Sequence, residues 1–412
     1  MRVVFLSVSD DLGGSEVALL EMIRGLRRAR PSWPLHVILP GRGPLHQRVS
    51  ALGAACEVVR LPRWLARVGE SAAGEAGRPR LARAALALRL CRAAAALPFY
   101  QRALRTTLAR LGPAVLHTNG LKAHILGAWA AGPETHVVWH LHEYIFRRPV
   151  TRRLMRATLP RCRAIIANSE SVADDVRRAI SPDTAPTVIH NAVDLTQFTP
   201  AGPALDLDAL SGLPPAPAGT VRAGLVATYG RWKGHEVFLR ALARLRSGTP
   251  VRGYVIGDAL YDTAGSQYSR AELIAMARQL GVSTRVGFTG FQPASLVMRS
   301  LDIVVHASTE PEPFGLVIAE AMAAGRALTT SAKGGAAELI EPGRDAITHT
   351  AGDDASLADS IARLAADPEW RHQLGTAARQ AAERRFNPAR MASELAALYE
   401  RVGGVAAERQ PA

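Results

Sequence analysis

The chain has 412 residues, 48% hydrophobic and 21% charged, ample apolar material for two domains with separate cores. Its three cysteines (Cys56, Cys91, Cys162) lie far apart without a CxxC spacing, which argues against a disulfide framework or a zinc site and suits a reducing cytosol. The net charge of +14 is uneven: residues 1–188 hold 28 Lys+Arg against 13 Asp+Glu and the remainder 22 against 23, so the basic half points to an anionic membrane or acceptor, while 5% aromatics and no zinc-finger, RNA-recognition or basic-zipper pattern place nucleic acid behind them.

Taken in order, short apolar runs alternate with helical patterns, which reads as repeated βαβ units. The opening "MRVVFLSVSDD" is too short and too soon acidic for a signal peptide, so it is read as a first strand over 2–8. Further strands are expected at 35–40, 114–118, 136–142, 164–169 and 187–193, then at 221–228, 251–257, 285–291, 302–308 and 326–331. Their apolar runs are continuous rather than alternating, as in parallel sheets covered on both faces. The fold class is therefore α/β, two doubly wound parallel-sheet domains in tandem, with a Pro- and Gly-rich surface loop at 198–219 just past their junction. Residues 60–112 depart from the rhythm, rich in Arg, Ala and Leu, with Pro98 read as a break between two helical stretches. That segment is either ordinary surface helix or a basic amphipathic element on a membrane or acceptor. No run of about 18 uncharged apolar residues is present to span a bilayer.

Ligands of such sheets sit at the carboxyl ends of strands, so motifs there carry most weight. In "EPEPFGLVIAEAMAAG" (310–325) the strand "DIVVHAS" leads through a turn into a helix closed at Gly325, with Glu312 in the loop and Glu320 about one turn inside. From Phe314 to Gly325 Glu320 is the sole charge, and a carboxylate among apolar neighbours needs a partner or a ligand. The backbone amides near Phe314, Gly315 and Leu316 open a helix, a position that attracts phosphate. A carboxylate on either side of such an anion suits a sugar nucleotide, each accepting hydroxyl hydrogen bonds. Gly13 and Gly14 follow the first strand and let backbone approach a ligand. Lys233, followed by Gly234, suits a diphosphate contact as well as it suits a solvated surface. "HVVWHLHEYIF" places His140 and His142 two apart, on one strand face, with no spacing that completes a zinc site. "DLD" (206–208) lies in a Pro-rich loop rather than after a buried strand and is rejected as a metal motif.

"EPFGLVIAEAM" resembles the E-x7-E motif of retaining glycosyltransferases of family 4. "GGSEVALLEMIRGL" (13–26), "VIHNAVDLTQFTP" (188–200), "FTGF" (288–291) and "AKGGAAELI" (332–340) are similar to that family in the same order, leaving out roughly 60–112. The resemblance implies a GT-B fold, two Rossmann-like domains facing a cleft: an acceptor domain at 1–190, a nucleotide-sugar donor domain at 191–385, and a C-terminal helix in 386–412 packing back on the first. It implies sugar transfer from a nucleoside diphosphate to an acceptor hydroxyl with retention, no metal and no cofactor, in cell-envelope glycolipid or polysaccharide synthesis. A sugar-nucleotide epimerase of the same fold, or a non-catalytic nucleotide- or polyanion-binding protein, are the alternatives. Catalytic roles fall to His142 and Glu312. Donor contacts fall to Gly14, Arg231, Lys233, Phe314, Gly315, Leu316 and Glu320, acceptor-side ones to Gly13, Asn119 and Lys122. The family's arginine five residues before the lysine is here Thr228, with Arg231 as the nearest cation to replace it. The expected partners are a nucleotide-sugar donor, an anionic or lipid-linked acceptor and an anionic membrane, with no nucleic acid. The expected location is the cytoplasm, with peripheral contact on the membrane's inner face.

Overall fold

A computed structural model describes residues 1–61, 96–260 and 265–407 of the chain. Most of the basic segment read at 60–112, namely 62–95, lies outside them, and with it the helical stretch read before Pro98; the described residues 96–111, Pro98 among them, are helical. Two compact units form: one of residues 1–192 with the segment that returns at Pro388, the other Val193–Asn387.

The first unit is built on β1 (Val3–Ser7), β2 (Leu35–Leu39), β3 (Ala55–Val58), β4 (Val115–Asn119), β5 (His136–Leu141), β6 (Cys162–Ala167) and β7 (Thr187–Val188). They pair in parallel in the order β3-β2-β1-β4-β5-β6-β7. All five residues of "VVFLS" are buried, because both faces of the strand are covered. Val4 and Leu6 face one core with Leu104, Leu126, Met155 and Val176, while Val3 and Phe5 face another with Leu19, Ile23, Leu395 and Tyr399. That second core needs the helix Pro388–Ala407, which lies against the helix Gly14–Ala29. The two approach so closely that a Cβ on Gly25 would stand 2.9 Å from that of Ala392.

The second unit uses β8 (Val221–Val226), β9 (Val251–Ile256), β10 (Val286–Gly290), β11 (Ile303–His306), β12 (Ala327–Thr330) and β13 (Ile347–Thr348), all parallel, in the order β10-β9-β8-β11-β12-β13. The loop at 198–219 holds a short helix, Leu207–Ser211, whose acids are engaged locally. Asp206 caps it, and Asp208 accepts from Arg252 Nη1 (2.6 Å), the Tyr254 hydroxyl (2.6 Å) and the Ala216 amide (2.9 Å). Two strands were not expected: β3, edge-placed and with no residue buried, and the two-residue β13; neither carries an apolar run.

Both sheets reverse strand order once, between β1 and β4 and between β8 and β11. The loops leaving those neighbouring strands splay apart there, the usual place for a ligand in an open parallel sheet. This brings together residues far apart in sequence: Gly13–Gly14 with Asn119 in one unit, Lys233 with Glu312 in the other.

Candidate active site

In the second unit the chain leaves β8, makes a 3-10 turn at Arg231–Lys233 and enters the helix His235–Arg244 through Gly234. Gly234 has φ 79°, and a Cβ there would stand 2.0 Å from the Ala307 carbonyl oxygen beyond β11. Only glycine lets the two loops close on each other. Gly234→Ala is therefore expected to push Lys233 away from the β11 loop and to lower the melting temperature of the second unit, which differential scanning calorimetry would measure.

Across that contact, Lys233 Nζ lies 3.0 Å from both Oε1 and Oε2 of Glu312 and 3.9 Å from the Trp232 ring centroid. Glu312 is the buried carboxylate, 7% exposed. Its Oε2 also accepts from Ser308 Oγ at 2.9 Å and meets His306 Nε2 at 3.3 Å, while His306 Nδ1 meets Thr330 Oγ1 at 3.0 Å. Burial pushes the Glu312 carboxyl up, but the Lys233 ammonium and His306 more than offset it and bring it down to about 2. The Glu312 amide donates to the Lys333 carbonyl (3.1 Å), just after Ala332, which is held at φ 46°, rare for a residue with a side chain.

The helix beyond starts at Leu316, with Gly315 as its cap at φ 92°, so its first amides have no acceptor inside the helix. Phe314 packs its ring on Phe386 in the core, centroids 6.0 Å apart. Glu320 is read from the sequence as needing either a partner in the core or a ligand. Ile318, Ala319, Ala321 and Met322 face inward, whereas Glu320 is half-buried at the margin.

Arg231 turns elsewhere. Its Nε donates to the Gly265 carbonyl (3.0 Å), Nη2 meets Glu272 (3.2 Å), and the guanidinium lies 4.2 Å from the Tyr268 ring centroid. The structure does not bring it to Lys233's partner, and Thr228 stands half-buried in the same loop. With its fork already occupied, Arg231→Ala is expected to change kcat/KM less than threefold, under about 1 kcal/mol.

In the first unit Asn119 ends β4. Its Nδ2 donates to the Ser15 carbonyl (3.2 Å) and its Oδ1 meets His142 Nε2 at 2.8 Å. A carbonyl only accepts, so the amide must face Ser15 with nitrogen; His142 then carries its proton on Nε2 and leaves Nδ1 bare. Nδ1 has no protein partner, and burial holds the imidazole neutral, its pKa lowered to about 4. Asn119 thus joins His142 to the helix that opens at Gly14. A Cβ on Gly14 would meet nothing within 4 Å, which leaves open space at that turn. Gly13 is the helix cap, its amide bonded to Glu16 (3.2 Å), and Lys122 is the second residue of the helix Leu121–Ala130.

His140 lies behind His142, ring centroids 4.1 Å apart, with His117 5.2 Å further along and the Tyr399 hydroxyl 2.7 Å from His117 Nδ1. Neither ring nitrogen of His140 has a protein partner. Sequence reading passed over His306 and Ser308. The available signal was their place at the end of β11, six and four residues before Glu312.

Residues 12–197 match the family described as Glycosyltransferase Family 4, and residues 217–381 match Glycosyl transferases group 1. A D-inositol 3-phosphate glycosyltransferase of Corynebacterium jeikeium is 29% identical over 65% of this chain and 64% of its own length. A protein of the same name from Mycobacterium tuberculosis is 34% identical over 60% of this chain and 50% of its own. The aligned stretch thus spans between half and two thirds of these relatives. Among solved structures, Anabaena HepE in complex with UDP and glucose superposes with a TM-score of 0.79 at 24% identity, covering 97% of this chain and all of that one. Sucrose-phosphate synthase from Thermosynechococcus elongatus gives 0.76 at 21%, covering 98% and 99%. Both likenesses are of fold, the GT-B arrangement of two Rossmann-like domains.

Proposed function

This chain belongs to the family 4, group 1 glycosyltransferases, and from that premise we propose that it moves a sugar from a nucleoside diphosphate sugar to an acceptor hydroxyl, with retention and without a metal. The observation that supports this most is the Lys233–Glu312 pair at the strand-order reversal of the second unit, beside a helix N-terminus. The bond from the sugar's anomeric carbon to the diphosphate breaks. A bond to the acceptor oxygen forms on the same face, and the acceptor's proton passes to a departing phosphate oxygen. Lys233 and the first amides from Leu316 take up the charge that develops on the diphosphate, Glu312 orients the sugar, and Glu320 accepts from the ribose. In the first unit the bare Nδ1 of His142, set by Asn119, accepts a hydrogen bond from a substrate hydroxyl.

The acceptor is anionic or lipid-linked and belongs to cell-envelope glycolipid or polysaccharide synthesis, and the basic first half meets an anionic membrane surface. Relatives named for a phosphorylated inositol agree with an anionic acceptor. Among the described residues no helix is long and apolar enough to cross a membrane. The test is a thermal-shift panel of nucleoside diphosphate sugars, since a ligand of the native state raises its melting point. Turnover then follows with the stabilising donor, with and without chelator, reading the anomeric configuration of the product by NMR. An inverted product or loss of activity with chelator would refute the mechanism. A donor whose sugar is epimerised without acceptor would point to the epimerase.

A further inference from the structure

Between Glu143 and Glu170 the chain carries seven arginines (147, 148, 152, 153, 156, 161 and 163) and no acid or lysine. Within this stretch the helix Pro149–Thr158 buries Met155 and Thr158 and turns Val150 and Leu154 outward, 71% and 36% exposed. Val150 and Leu154, four apart on this helix, share one face, and Phe146, in the turn that leads into it, is 46% exposed. Phe146 is held in place: Asp175 Oδ2 accepts from the Ile145 and Phe146 amides (2.6 and 3.1 Å), and the guanidinia of Arg152 and Arg178 lie 5.3 and 5.9 Å from its ring centroid. Arg156 is tied to the carbonyls of Ala179 and Ile180 and Arg148 to Glu143, while Arg147 and Arg153 are exposed.

An apolar stripe between arginines matches the headgroup boundary of an anionic bilayer, where apolar side chains sink a few ångströms and cations meet phosphates. A soluble polyanion would have no use for Phe146, Val150 and Leu154, and a second copy of the same face would be repelled. Arginines also crowd the helix's positive end, a placement its dipole disfavours unless an anion lies there. Resting on the reading of an anionic membrane partner, we propose that Phe146, Val150 and Leu154, with the arginines around them, are the face on which this protein seats on an anionic lipid bilayer.

The full chain is sedimented with phosphatidylglycerol-containing and with pure phosphatidylcholine vesicles, beside Val150→Asp/Leu154→Asp, whose fold is checked by its unchanged thermal shift with nucleotide sugars. The wild type is expected to bind only the anionic vesicles, less so in salt, and the double variant to bind at least tenfold more weakly, since two side chains lose their burial. Tryptophan emission from Phe146→Trp is expected to shift blue with those vesicles and not with heparin. Equal binding by the double variant, or no blue shift, overturns this face while leaving the membrane reading intact. Failure of the wild type to bind either vesicle overturns both.

Discussion

Lys233→Ala is expected to lower kcat by a hundredfold or more and to destabilise the second unit by about 3 kcal/mol, the scale of leaving one partner of a buried ion pair alone and of removing one preorganised contact from a developing charge. The cause is the geometry around Glu312. Both its oxygens lie 3.0 Å from the ammonium, and without it the carboxylate, 7% exposed, loses the cation that offsets its burial. Glu312→Gln should cost activity on the same scale but less stability, because the amide needs no counter-charge. Lys233→Met with Glu312→Gln should recover most of the stability and none of the turnover. The acid limb separates the two effects further. The Glu312 carboxyl ionises at about 2 in the fold against 4.5 unperturbed, so it contributes stability that is complete above pH 4.5 and lost as pH falls toward 2. Urea titrations of the wild type should show that loss, and Glu312→Gln should lack it. Wild-type kcat in Lys233→Ala would remove the basis of the site.

The first unit should fail in much milder acid. His117, His124, His140 and His142 are all held neutral by burial, His117 at about 3, His142 at about 4, and the other two well below their usual value. Unfolded, each takes a proton near pH 6.5; folded, it does not. Stability is therefore full above pH 6.5 and declines as pH drops below it, by roughly 2 kcal/mol at pH 5 for each of His117 and His142, with His124 and His140 acting in the same direction. Two such terms already take a large share of the stability of an ordinary domain. Glu16, whose pKa burial raises, works in the opposite direction, since the fold takes up that proton before the unfolded chain does. Hydrogen exchange by mass spectrometry at pH 7.5 and 5.5 should show residues 1–61 and 96–192 opening first. His140→Phe, which keeps a ring in place of an imidazole with no protein partner, should lessen the effect. Protection of this unit that is unchanged at pH 5 would contradict the prediction.

Much of the scaffold was legible because parallel strands buried on both faces must be apolar throughout. "VVFLS", "VVWHL" and "IVVH" announce themselves, and the strand–turn–helix at 302–325 could be read residue by residue. Ala55–Val58 and Ile347–Thr348 could not, being short edge strands whose pairing is set by neighbours. The site was legible as a set of residue types at strand ends, not as a set of contacts. Lys233 and Glu312 were assigned separate duties, phosphate and sugar, yet they are 79 residues apart in sequence and bonded to each other, and only sheet order brings their loops together. Arg231 shows the converse: two positions from Lys233, it is drawn to Glu272 on another helix. For Glu320 the sequence left a core partner and a ligand both open, because an apolar sequence around a residue does not say which way the helix is turned.

The helix Pro388–Ala407 has one more implication, for how the chain comes off the ribosome. Domains usually complete themselves in the order they are made. Here the first unit waits for Leu395 and Tyr399, which close one of its two cores and cap His117, and those residues emerge only after all of Val193–Asn387 has been translated. The second unit can finish folding while the first is still open along the groove beside Gly14–Ala29, its apolar floor of Leu19, Met22 and Ile23 uncovered. The nascent first unit is thus expected to expose that groove for the whole time the second is being made. A fragment ending at Ala192 would be insoluble, whereas the same fragment supplied in trans with a peptide of residues 388–407 could be rescued.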